Sequence, residues 1–197
     1  MTNMMVLIVL GVFMLQANAA ESVALSSKKA VFAGGCFWCL QPGFDRTPGV
    51  LSTMVGYTGG SMVNPSYEQV SSATTGHYEA IEVVYDPTLV AYERLVEIFW
   101  RSIDPTDAGG QFTDRGSQYR TAIFFADEAQ KKTAEEAVRY LAASEKLKKP
   151  VATMILPAAP FYPAEDYHQK YYLKQTGRYN AYKDGSGRSD FLKNRAD

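Results

Sequence analysis

Short apolar runs of strand length alternate along this chain with stripes of helical period, and glycine or proline marks nearly every change. That order restricts the fold more than any other feature, because the strands must share a sheet and the helices must cover it. Ala30-Val31-Phe32-Ala33 reads as a short buried strand stopped by Gly34-Gly35. A helix is expected from Cys36 to about Asp45, before Thr47-Pro48-Gly49 breaks it. Val50 to Tyr57 reads as a second strand ended by Gly59-Gly60, and Ser61 to Gly76 as a polar loop turning at Asn64-Pro65. His77 to Tyr85 alternates, with Ile81, Val83 and Tyr85 on one face, and Asp86-Pro87 closes it. Leu95, Phe99 and Ile103, widened by Ile98, make Tyr92 to Ile103 an amphipathic helix. Ala108 to Ser117 reads as a loop and Tyr119 to Ala126 as a strand. Asp127 caps a long helix through roughly Leu147, with Ala134, Val138 and Leu141 inward. Val151 to Leu156 reads as a further strand, and Ala164 to Gln175 as a helix stopped by Gly177. The order β-α-β-β-α-β-α-β-α predicts an α/β (α+β) two-layer sandwich with a mixed sheet around a ferredoxin-like split βαβ core.

A chain of 197 residues can bury such a core without staples. A net charge of -1 and the lack of any basic block speak against a nucleic-acid partner. Without repeats or long linkers, a single domain is expected over residues 30–182, after a flexible lead-in at 21–29 and before a polar tail at 183–197. Residues 1–20 read differently. They carry no charged side chain, and Met4 to Leu15 is nearly unbroken apolar sequence. Ala17 and Ala19 fit an A-x-A cleavage signal. The run is short for a bilayer span, which takes roughly 20 residues. Met1-Thr2-Asn3 supplies no Lys or Arg, so a retained anchor or a buried N-terminal helix competes with this reading. The expectation is a cleaved export signal and a periplasmic or secreted protein, free of stable membrane association, in an oxidising compartment.

The only cysteines are Cys36 and Cys39, in Gly34-Gly35-Cys36-Phe37-Trp38-Cys39. Four readings compete. A structural disulfide would close a tiny loop and constrain the unfolded chain little. Half of a zinc site would need further ligands, and only His77 and His168 remain, without metal-ligand spacing. A thioredoxin-like dithiol–disulfide exchange carrier fits the strand–turn–Cys-x-x-Cys–helix context, although Phe37 and Trp38 better suit a small apolar pocket than a protein-exchange surface. In the fourth reading, an enzyme reduces its substrate with an attacking and a resolving cysteine. Cys36 follows two glycines at the first turn of a helix, where unpaired N–H groups favour a thiolate. Cys39, three residues on, shares its face and could condense with an oxidised Cys36.

Gly-Cys-Phe-Trp-Cys resembles the signature of the peptide methionine sulfoxide reductase A family. Gly56-Tyr57-Thr58-Gly59-Gly60, Asn64-Pro65-Ser66-Tyr67, Gly76-His77-Tyr78-Glu79-Ala80 with Val84-Tyr85-Asp86-Pro87, Asp114-Arg115-Gly116-Ser117-Gln118-Tyr119-Arg120, and Glu165-Asp166-Tyr167-His168-Gln169-Lys170-Tyr171 resemble further family segments in order. The resemblance implies that Cys36 attacks the sulfur of the S-epimer of methionine sulfoxide and that Glu79 protonates the leaving oxygen. It implies that Tyr67 and Tyr119 hydrogen-bond that oxygen, Asp114 supports the polar side, and Phe37 and Trp38 hold the methyl group. Many family members carry glycine where Cys39 stands and place resolving cysteines near the C-terminus. The tail here has none, so Cys39 is expected to be the sole resolving thiol. An external thioredoxin-like reductant and a monomer are expected. No cofactor and no metal are expected, there being no nucleotide loop and no flavin or haem motif.

The residue types suit that chemistry. A sulfoxide oxygen leaves poorly unless it is protonated or strongly hydrogen-bonded. A carboxyl beside aromatic rings can keep its proton, and phenols are neutral donors. Taken singly, each residue has an ordinary reading. Glu79 would be a solvated strand residue, Tyr67 and Tyr119 core or rim aromatics, and Asp114 a turn residue. Phe37 and Trp38 would be helix packing, and His168 a brace for the C-terminal helix with no catalytic role. Only their convergence on Cys36 would overturn this.

Overall fold

The computed structural model describes residues 27–144 and 147–194. The expected export signal lies outside the described residues. Strands β1 (Lys28–Gly34), β2 (Val50–Thr58), β3 (Tyr78–Tyr85), β6 (Thr121–Phe125), β7 (Met154–Pro157) and β8 (Tyr162–Pro163) form one six-stranded sheet in the order β7-β6-β1-β3-β2-β8. The central four strands, β6-β1-β3-β2, pair antiparallel with one another. β3 sits between β1 and β2, which helix α1 (Phe37–Asp45) joins, so the βαβ unit is split as the sequence predicts. β7 adds in parallel to β6 and makes the sheet mixed, and β8 adds to the opposite edge.

The pleat decides what is buried. Ile81, Val83 and Tyr85 of β3 face the larger core, with Phe32, α1, α3 (Tyr92–Arg101) and the inner side of α4 (Glu128–Ala143). Phe32 stacks on Phe44 at 5.2 Å and on Phe99 at 5.1 Å. The opposite sheet face carries a small cluster of Ala33, Tyr78, Ala80, Ala122 and Phe124. Glu79 shares the parity of Ile81 and lies opposite Tyr57 in the β2–β3 register, so it projects into the large core.

Several boundaries differ from expectation, each for a local reason. The loop at 61–76 contains a short helix, α2 (Tyr67–Ser71), started by a capping box between Ser66 and Gln69. The loop at 108–117 contains a β4 (Gly110–Gln111) and β5 (Asp114–Arg115) hairpin, followed by a 3₁₀ turn over Ser117–Tyr119. Tyr119 therefore precedes its expected strand. Helix α4 starts where Asp127 accepts the Gln130 N–H, and it ends at Ala143 rather than near Leu147. The expected helix over 164–175 is mostly turns. Lys170 adopts a left-handed conformation (φ 54°), and only α5 (Tyr171–Lys174) is helical.

Residues 183–197 were expected to be a polar tail, but residues 183–194 pack into the fold. α6 (Thr176–Gly185) and α7 (Arg188–Lys193) occupy it, and Arg188 is 1% exposed. At the other end, Lys28 and Lys29 of the expected lead-in already belong to β1.

Candidate active site

The site forms where β1 ends and α1 begins. Gly35 turns the chain with φ 77°. A Cβ there would meet the Gln111 Cβ at 2.6 Å and an Arg188 nitrogen at 2.9 Å, so glycine is required both for conformation and for space. Cys36 is the N-cap of α1 and is buried, and Cys39 is half-buried one turn later. The Phe37 N–H, a free donor of that first turn, donates to Glu79 Oε2 at 3.1 Å. It was expected to favour a Cys36 thiolate, but Glu79 takes it. Burial pushes the Cys36 thiol well above the ordinary range, the hydrogen bond with Cys39 and the charge of Glu79 add to that, and the Tyr182 hydroxyl opposes it. Cys39 is lowered, chiefly by its hydrogen bond from Cys36. Burial therefore works against a thiolate at Cys36, where the helix terminus alone would favour one.

Glu79 is 2% exposed, and burial raises its carboxyl to about 8, opposed by the Phe37 hydrogen bond. A strand glutamate would ordinarily be solvated, and this one keeps its proton at neutral pH. Around it stand two phenols. Tyr67 opens α2, and its N–H donates to Glu165 at 2.9 Å. Tyr119 closes the 3₁₀ turn, which Gln118 ties to α2 by donating to the Ser71 carbonyl at 3.2 Å. Both phenols are raised, by burial first and then by Glu79. They lie within hydrogen-bond reach of each other and within electrostatic reach of Cys36. Asp114, on β5, accepts the Tyr182 hydroxyl at 2.5 Å, and burial raises its carboxyl.

The apolar side is aromatic. Phe37 is 1% exposed and lies 5.1 Å from the His168 ring, so it forms a floor rather than an open wall. Trp38 is half-buried, stacks on Tyr171 at 3.8 Å and meets the Tyr182 ring edge-on at 5.8 Å. Its indole N–H donates to His168 Nδ1 at 3.0 Å. His168 therefore accepts at Nδ1, and burial lowers it to about 4, which leaves it neutral.

This geometry places a buried thiol, a protonated carboxyl and two phenols together beside an apolar floor. That combination can deliver a proton and hydrogen bonds to a polar oxygen while sulfur attacks next to it. Residues 28–197 match the family described as Peptide methionine sulfoxide reductase. The chain belongs to that family. It is 56% identical to the peptide methionine sulfoxide reductase MsrA of Bacillus licheniformis over 163 residues, which is 83% of this chain and 90% of the relative. It is 52% identical to the MsrA of Bacillus subtilis over 170 residues, covering 85% and 96% of the two chains. Among solved structures, it superposes on methionine sulfoxide reductase A of Corynebacterium diphtheriae with a TM-score of 0.69 and 36% identity, covering 77% of this chain and 76% of that one. Reduced Mxr1 of Saccharomyces cerevisiae gives a TM-score of 0.71 at 30% identity, covering 77% and 87%. As in its family, the activity is that of a peptide-methionine (S)-S-oxide reductase, an oxidoreductase acting on methionine sulfoxide.

All eight residues that the sequence singled out for this reductase, Cys36, Phe37, Trp38, Cys39, Tyr67, Glu79, Asp114 and Tyr119, fall at this one end of the sheet. Sequence reasoning missed Tyr182, which joins Asp114 to Cys36, and Arg188, which packs behind the Gly34-Gly35 turn. Both lie in a polar stretch with no motif to mark them. Glu165, quoted only as part of a family segment, accepts from the Tyr57 hydroxyl and the Tyr67 N–H, both at 2.9 Å.

Proposed function

We propose that reduction runs through Cys36 as nucleophile and Glu79 as acid. The buried, protonated Glu79 carboxyl at the first turn of α1, next to Cys36, carries this reading. Sulfur of Cys36 attacks the sulfoxide sulfur. Glu79 gives its proton to the oxygen, and the phenols of Tyr67 and Tyr119 hold that oxygen as charge develops. The S–O bond breaks as the S–S bond forms, and the oxygen leaves as water with the Glu79 proton and the thiol proton. A water then attacks the Cys36 sulfur, the S–S bond breaks to release methionine as the thioether, the spare proton returns to Glu79, and Cys36 is left as a sulfenic acid, two electrons having passed to the substrate. Phe37 and Trp38 take the methyl group. The opposite epimer would set its oxygen against these rings and its methyl against the donors, which costs the oxygen its hydrogen bonds. Asp114 acts on the polar side through Tyr182.

Cys39 then attacks the sulfenic acid, forming the Cys36–Cys39 disulfide and releasing water. An external dithiol of the thioredoxin type restores the two thiols. The substrate is methionine sulfoxide in proteins, in peptides or free, and the enzyme works as a monomer. Residues 1–20 act as an export signal that places it outside the cytoplasm. Their apolar run and small residues support this.

The test is a stereospecific assay on protein lacking residues 1–20, with each epimer of N-acetylmethionine sulfoxide, dithiothreitol as reductant and Cys36→Ser as control. Methionine should form from the S-epimer alone and vanish with Cys36→Ser. Equal use of both epimers, or rapid insulin disulfide reduction without methionine formation, would replace this reading with that of an exchange carrier.

A further inference from the structure

Arg188 is a buried cation that the reaction above does not use. Its side chain enters from α7 and donates to the Ser102 carbonyl at 2.6 Å and to the Gly34 carbonyl at 3.1 Å. Its guanidinium lies 4.7 Å above the Phe112 ring. One of its nitrogens occupies the space that a Cβ on Gly35 would need. Its two hydrogen bonds go to carbonyls, and among the described residues none goes to a carboxylate. A buried charge bonded only to carbonyls keeps its field on the groups around it, Cys39 and Asp114 among them. The Gly34-Gly35 turn that leads into the two thiols packs directly against it.

We propose that Arg188 is a positioning residue for the resolving step, supplying the fixed positive charge that favours the attacking thiolate at Cys39. The inference rests on Cys39 as the resolving thiol. The two carbonyl bonds hold the guanidinium in place while the thiols change state, so the charge does not follow the substrate or the solvent. The groups facing Cys39 divide by sign. Arg188 and Lys183 favour its anion, and the charge of Asp114 opposes it. Cys36 hydrogen-bonds it from the N-cap of α1. Glu79, Tyr179 and Tyr182 also lie within its field, and each resists losing its own proton beside it. At neutral pH Glu79 and the two phenols are protonated, so among the described groups acting on Cys39 the cations are opposed by the charge of Asp114. Attack by the Cys39 anion on Cys36–S–OH forms the S–S bond, breaks the S–O bond and, with one proton, releases water. The sulfenic acid is the oxidant, and no other reagent is needed.

The experiment is a single turnover without reductant, in which methionine release and thiol loss are followed separately from pH 6 to 10. In Arg188→Met, methionine release keeps its rate while thiol loss slows about tenfold at neutral pH, and its profile moves up by about one pH unit. Arg188→Lys, which keeps the charge, restores most of the profile. Lys183→Met, a change at a half-buried residue, moves the profile the same way by less and reports on the charge even if the Arg188 variants fail to fold. Equal slowing of methionine release and thiol loss, or an unmoved profile in both Arg188→Met and Lys183→Met, would overturn the proposal. Full turnover with thioredoxin in Cys39→Ser would instead remove the reading on which it rests.

Discussion

The Phe37 N–H and the Glu79 carboxyl meet at 3.1 Å, which ties the acid on the sheet to the helix turn that carries the thiol. The bond holds Glu79 in place without ionising it, because burial outweighs a single backbone donor and leaves the carboxyl at about 8. The proton available for the sulfoxide oxygen is therefore present across the neutral range and lost above it.

Glu79→Gln should lower the rate of methionine release by about a hundredfold or more. The same variant should abolish the fall in rate that the native enzyme shows as pH rises through about 8. Single-turnover rates at several pH values check both. Stability has its own signature. The folded carboxyl holds its proton up to about 8 and the unfolded one only to about 4.5, so the native state binds more protons between these values and loses stability as pH rises through them. In Glu79→Gln that decline should flatten, as read from urea midpoints.

His168 should give the opposite slope. It binds a proton near 6.5 when unfolded and near 4 when folded, so native stability falls as pH drops through that window. His168→Gln keeps an acceptor for the Trp38 indole but does not titrate. It should retain activity at pH 7 within about threefold, the loss of one imperfectly replaced hydrogen bond, and show a shallower acid-side loss of thermal stability.

Cys39→Ser should release one equivalent of methionine per molecule at near-native speed and then stall with thioredoxin as reductant. Sustained full-rate turnover would show that Cys39 does not resolve. The burst amplitude read by rapid quench, compared with steady-state turnover, decides this.

Tyr182→Phe removes the donor to Asp114 and the hydroxyl that favours a Cys36 anion. Loss of a hydrogen bond to a carboxylate should cost about 1.5–3 kcal/mol of stability. Alkylation of Cys36 in a Cys39→Ser background should shift to higher pH. A profile identical to that of the Cys39→Ser parent would mean that Tyr182 serves Asp114 alone.

The sequence made the core and the chemistry legible for different reasons. Ile81, Val83 and Tyr85 report the pleat of β3 directly, and the same parity puts Glu79 on the buried face, although its charge argued for solvent. The Gly34-Gly35-Cys36 turn was readable because glycine ahead of a cysteine and a helical stripe has few other uses. The short α2 was hidden because its Ser66–Gln69 capping box lies in a polar stretch with no apolar period. The forces opposing a Cys36 thiolate were hidden because a helix terminus is a local feature, whereas burial and the claim of Glu79 on the Phe37 N–H are tertiary. Tyr182 and Arg188 were invisible for the same reason, since each acts across the fold from a stretch that is unremarkable in itself.

Arg188 reaches the Gly34 carbonyl across 154 positions of chain. On the ribosome, the two thiols emerge long before the residues that enclose them, and Trp38 likewise waits 130 positions for His168. Until those residues are made, the two thiols lack the guanidinium behind their turn and the His168 acceptor beside Trp38. A chain stopped before His168 would therefore carry both thiols without the surroundings that fit them for reduction and resolution.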